Sequence, residues 1–211
     1  MRRLCLVLLA ASAATVTAAS PALAQDAPPA PPAGVSPRQI VPPHHPAGGY
    51  ATPSRDVAGA EAVWHLRAAL NVAALGCRDA DDARTAGDYN TMLARHAQPL
   101  AAANAAVTQR YRQRAGAGWE NARERAMTQL YNFYAQVPAH DEFCAAAKRV
   151  LAEVQAVPAA DLNQFARARL DELEAPFTRF FARVEAWRAD VALWQEQHRG
   201  PVATTAGYAQ R

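Results

Sequence analysis

Glu61 and His65 stand four residues apart, a spacing that puts a carboxylate and an imidazole on one face of a helix. Such a pair can supply two ligands or an acid and a base; its commoner role is an ordinary surface contact. His96 follows Met92 by four residues and lies on an apolar stripe. A histidine and a methionine from facing helices can hold haem without a covalent link. A single histidine on such a stripe is more often a hydrogen-bonded core residue, so no cofactor is expected. His140, with Asp141 and Glu142, opens a helix, where the helix dipole alone accounts for the acids. Arg110, Arg112 and Arg114 flank Tyr111 near a helix end, and Arg123 and Arg125 follow on the next helix. Cations near a helix C-terminus suit its dipole. Gathered at one end of a hairpin, these five offer a patch for an anionic partner such as a lipid headgroup, a cell-wall polymer or an acidic protein surface.

Other chemistries lack their residues. Beyond residue 24 the only serines are Ser36 and Ser54, both in a proline-rich stretch, so the helical region offers no serine nucleophile and there is no G-x-S-x-G elbow. Gly116-Ala117-Gly118 lacks a third glycine and a preceding strand, and no phosphate-binding loop is present. The chain has no C-x-x-C-H, no H-E-x-x-H and no Glu-x-x-His pair of the di-iron bundle type. The adjacent His44 and His45 lie in the proline-rich stretch, where two histidines seldom make a metal site. No metal site is assigned.

The elements that must carry these residues are read from the period. Arg2 and Arg3, a short apolar run and Ala22-Leu23-Ala24 make residues 1–24 a secretory signal, with cleavage between Ala24 and Gln25. The apolar run is too short for a membrane span. Removing the two arginines of the leader leaves 20 basic against 19 acidic residues, a balance that gives no support to nucleic-acid binding. Cys77 and Cys144 are then the only cysteines, and in an oxidising compartment an even pair is read as a disulfide. Nine of the fifteen prolines fall within 25–55, which predicts a disordered linker acting as a spacer.

From residue 56 the period is helical almost throughout. Val63, Leu66, Leu70, Ala73 and Cys77 form one stripe over 56–77, the helix around which the rest is organised. Further helices are predicted over 82–114, kinked or split by Pro99; over 118–137; over 141–156; and from Asp161 to Gly200, bent at Pro176. Asp161 and Gln164 have the spacing of a capping box. Short connections favour antiparallel neighbours. An up-down order puts the end of the first helix and the start of the fourth at one end of the bundle, where Cys77 and Cys144 can meet.

The expected architecture is therefore all-α: an antiparallel up-down bundle of about five helices over 56–200, one disulfide, a disordered N-terminal linker and a flexible tail over 201–211. The expected role is periplasmic or secreted and non-catalytic, an interaction or envelope-associated protein with a protein or envelope component as partner. The alternatives are a carrier of haem or an apolar small molecule, using His96 and Met92, and an enzyme built on Glu61 and His65. The enzyme reading requires those two side chains to meet a third polar group in one pocket.

Overall fold

The computed structural model describes residues 27–78 and 82–199; the predicted signal, its predicted cleavage site at Ala24 and Gln25, and the predicted tail over 201–211 lie outside them. The described residues form an all-α protein. Its helices are α1 (Gly59–Gly76), α2 (Asp82–Arg95), α3 (Ala97–Ala115), α4 (Trp119–Tyr134), α5 (His140–Val154) and α6 (Leu162–Gln197).

Helix α1 is the centre of the assembly and touches each of the other five. Its predicted stripe is buried in full, and Ala62, Ala68 and Ala69 are buried beside it. A helix enclosed on several sides needs small residues where neighbouring backbones come close, and the alanines meet that need. Ion pairs fix the register of two neighbours. Glu142, Arg149 and Glu153 of α5 pair with Arg179, Glu172 and Arg169 of α6, so one helix ascends as the other descends. Glu61, at the start of α1, pairs with Arg110, near the end of α3, in the same sense.

Pro99 splits the helix predicted over 82–114. The turn falls at His96, and Pro99 becomes the third residue of α3, where a missing N–H leaves no helix bond unmade. Pro176 does not break α6, which runs for 36 residues through a buried Pro176. Its flanking residues Leu173, Phe177 and Phe180 are all buried, and their packing outweighs one lost backbone bond. The capping box at Asp161 does not form: that side chain makes no capping hydrogen bond, and a short 3₁₀ turn precedes the helix instead. Gly116 reverses the chain between α3 and α4 at φ 52°, a conformation that other residues rarely adopt.

Composition predicts a free spacer over 25–55, and here the structure differs from residue 27 onward. Residues 27–55 contain no helix, and their only sheet-like pairing among the described residues is a bridge between His44 and Tyr50. They nevertheless lie along the bundle as a strap. The Trp187 indole donates to the Pro29 carbonyl at 2.9 Å, and the Tyr50 hydroxyl donates to Glu185 at 2.7 Å. Tyr50 is buried edge-on against Phe181, with the His44 ring stacked on its other side. The two histidines contact separate carboxylates, His44 at Glu185 and His45 at Asp56. Prolines have few backbone states to lose and no N–H to satisfy, so a segment rich in them can settle on a helical surface without a hydrogen-bonded ladder.

Candidate functional site

The strap ends in a buried polar cluster. Glu174 of α6 is only 3% exposed, yet it occupies a position on the apolar face. It accepts from the Thr52 hydroxyl, from the Ser54 backbone N–H at 3.0 Å and from the Tyr134 hydroxyl at 3.4 Å. Ser54 is wholly enclosed, and each of its polar groups has a partner. Its Oγ lies 3.1 Å from Tyr134 Oη and 3.1 Å from His65 Nδ1, and its carbonyl accepts from Arg167 at 2.8 Å. Arg167 is itself paired with Asp171, one turn along α6.

Burial governs the charge states here. It raises the Glu174 carboxyl above its ordinary range, while the bonds from Thr52 and Ser54 oppose that rise. It raises the Tyr134 hydroxyl well above its ordinary value, and the Glu174 charge adds to the effect. It lowers His65 from 6.5 to about 4, so this imidazole is neutral at neutral pH.

The His65 shift carries a stability prediction with a definite sign. Between pH 6.5 and about 4 the unfolded chain binds a proton at His65 that the folded chain does not, so the folded state weakens as pH falls through that window. The contribution is complete above 6.5 and levels off below 4. At 1.36 kcal/mol per unit it amounts to about 3 kcal/mol. The raised Glu174 acts in the opposite sense, since its carboxyl is more easily tolerated once protonated. Urea unfolding of wild type and His65→Gln, compared at pH 7 and pH 4, should therefore show the wild type losing about 3 kcal/mol relative to the variant. An unchanged difference would place His65 in solvent.

In front of this cluster lies an open cleft of about 1280 Å³. The strap forms one wall, from Gly34 to Pro42 with Ala51 and Pro53. Glu61 and His65 of α1, the face of α4 from Ala126 to Phe133, and Ala135 and Gln136 just beyond that helix form the others. Val57, Met127, Leu130, Phe133 and Phe181 give the interior its apolar character, and Tyr111 of α3 also lines it. Helical spacing brings Glu61 and His65 to the same wall. The Glu61 carboxylate is held by Arg110, and His65 is held by Ser54.

The remaining sequence-predicted residues fall elsewhere. His96 is buried at the α2–α3 turn, where its Nε2–H donates to the Val154 carbonyl at 3.1 Å, so the ring serves as a core hydrogen-bond donor. Met92 is buried one turn earlier on the same segment, so the two do not face each other from opposite helices. Arg112 covers the Trp119 ring at 4.6 Å, Arg123 bonds Asn104 at 2.8 Å, and Arg110 is paired with Glu61. Arg114 and Arg125 are exposed at the same hairpin. Cys77 and Cys144 are joined, with Sγ–Sγ 2.08 Å and Cα–Cα 5.6 Å. His140 lies against Cys144 Sγ at 3.7 Å and donates to the Gly76 carbonyl at 3.1 Å. Among the described residues, Cys77, His140 and Cys144 are the one group compact enough to hold a metal, but the disulfide occupies both sulfurs.

Sequence reasoning missed Thr52, Ser54, Tyr134 and Glu174. Ser54 corrects the expectation that the folded body contains no serine: it belongs to that body, although enclosed. One signal was available. Glu174 stands four residues after Leu170 and three before Phe177, a carboxylate on the buried face of the most regular helix in the chain. No protein-family model, curated protein or solved structure matches this chain.

Proposed function

We propose that this is a non-catalytic binding protein of an oxidising, extracytoplasmic compartment, whose cleft between the strap, α1 and α4 receives an apolar small molecule. The observation that carries the reading is the cleft itself: it is concave and large enough for a drug-sized ligand, with an apolar interior and a few polar groups on its walls. The signal-like leader and the cysteine pair support the compartment. No helix among the described residues is long and apolar enough to cross a membrane. The enclosure of Ser54 and the bonding of both sulfurs support a role without a nucleophile. Glu61 and His65 share a wall of the cleft, but Ser54 meets His65 from inside the protein and does not line that cleft, so the three do not converge in one pocket as the enzyme reading requires. Glu61 is also paired with Arg110, so binding is the simpler use of the cleft.

A second reading has one observation in its favour. Ile40 and Val137, both lining the mouth of the cleft, are each 80% exposed, as an apolar contact for a protein or envelope partner would be.

Titration with the apolar fluorophore N-phenyl-1-naphthylamine tests the first reading. Wild type should bind it saturably at one site. Ala126→Trp, which fills the α4 wall, should weaken binding at least tenfold with an unchanged helical circular-dichroism spectrum. Equal binding by both proteins, or no saturable binding by wild type, would remove the proposal.

A further inference from the structure

We infer that His65 presents Nε2 to the cleft as a bare hydrogen-bond acceptor, so that the molecule bound there is an uncharged amphiphile with a hydroxyl group. The inference rests on the cleft being a ligand site, as proposed above, and adds the chemistry of the ligand.

The proton order of the buried cluster carries it. The Glu174 carboxylate can only accept, and three donors converge on it. The single Tyr134 proton therefore points to Glu174 Oε1. Tyr134 Oη, 3.1 Å from Ser54 Oγ, must then accept the Ser54 proton. Ser54 Oγ in turn has only lone pairs to offer at its third neighbour, so the His65 proton sits on Nδ1 and points to Ser54. In a neutral imidazole this leaves Nε2 as the acceptor. Nε2 makes no hydrogen bond within the described residues, and His65 lines the cleft. A chain of four groups thus fixes one tautomer from the far side of the ring.

The surroundings then select the head group. Glu61, four residues earlier on the same wall, is a second acceptor already paired with Arg110. A carboxylate set against His65 would meet two acceptors, Nε2 and Glu61. A hydroxyl supplies the proton that Nε2 lacks while its hydrocarbon body fills the space beside Leu130 and Phe133. Arg38 also borders the cleft, from the exposed strap, and is the group that would hold an anionic head.

Displacement of N-phenyl-1-naphthylamine at pH 7.5 by decan-1-ol, 1-methoxynonane and decanoate tests this, since the three have similar length and differ in the head group. Decan-1-ol should displace at least tenfold more tightly than the ether or the acid in wild type. In His65→Leu the alcohol and the ether should converge, and His65→Gln, which restores an acceptor oxygen, should recover part of the preference. Equal displacement by alcohol and ether in wild type would overturn the inference while leaving the cleft a binding site. Tightest displacement by decanoate would also overturn it and place the head group at Arg38. No fluorophore binding at all would remove the cleft reading itself. A tautomer measurement on unmodified protein needs no variant to fold: long-range ¹H–¹⁵N correlation should show the His65 proton on Nδ1, and a proton on Nε2 would contradict the inference directly.

Discussion

Glu174→Ala should lower the unfolding free energy by about 3 kcal/mol, although the variant removes a buried carboxylate that burial itself disfavours. The reason lies in what stays behind. Thr52, the Ser54 N–H and Tyr134 all direct protons at Glu174, and each loses its acceptor inside the protein. A buried donor without a partner costs about 1–3 kcal/mol, so three of them outweigh the relief of removing one desolvated charge. Two of the three donors belong to the strap, so the loss should concentrate there and open one wall of the cleft. Tyr134→Phe is the graded control. It removes one proton donor and keeps the ring among Phe133, Phe143 and Phe177, so about 1 kcal/mol is expected. Urea unfolding midpoints of the three proteins should fall in the order wild type, Tyr134→Phe, Glu174→Ala. A Glu174→Ala variant as stable as wild type would mean that the cluster does not hold the strap.

The second large effect belongs to the disulfide. Cys77 closes the end of α1 and Cys144 sits in the second turn of α5, 67 residues later. A loop of that length should contribute about 4 kcal/mol by restricting the unfolded chain. The double variant Cys77→Ala with Cys144→Ala should lose about that much in urea unfolding, and chemical reduction of wild type should reproduce most of the loss. A loss below about 1 kcal/mol would show that helix packing alone holds the two ends of the molecule together.

How legible these features were from the sequence follows from how local their causes are. The stripe of α1, the position of the Pro99 break and the all-α class depend on periodicity and on one missing N–H, both written in neighbouring residues. The cysteine pairing was reachable because a short-loop helical topology has few ways to bring Cys77 to Cys144. The continuity of helix α6 was harder to read, since Pro176 removes a backbone bond while the decisive quantity, the burial of Phe177 and Phe180, is tertiary. The strap was misread for a related reason. Composition measures how much apolar surface a segment can bury by itself, and 27–55 buries almost none against itself. Tyr50, Thr52 and Ser54 find their partners on α4 and α6, between 80 and 135 residues away. The Glu61–His65 spacing was visible, but not the cleft in front of it, because one of its walls is that same strap.

Amide hydrogen exchange at Ser54 tests the central claim most directly, that the proline-rich strap is a fixed wall of the site. Its N–H donates to buried Glu174 at 3.0 Å, in a segment with no helix to protect it. The structure predicts that this amide exchanges as slowly as those in the middle of α1 in wild type, and that Glu174→Ala makes it fast while α1 stays protected. Rapid exchange at Ser54 in the wild-type protein would contradict the docked strap, and with it the cleft and the proton order built upon it.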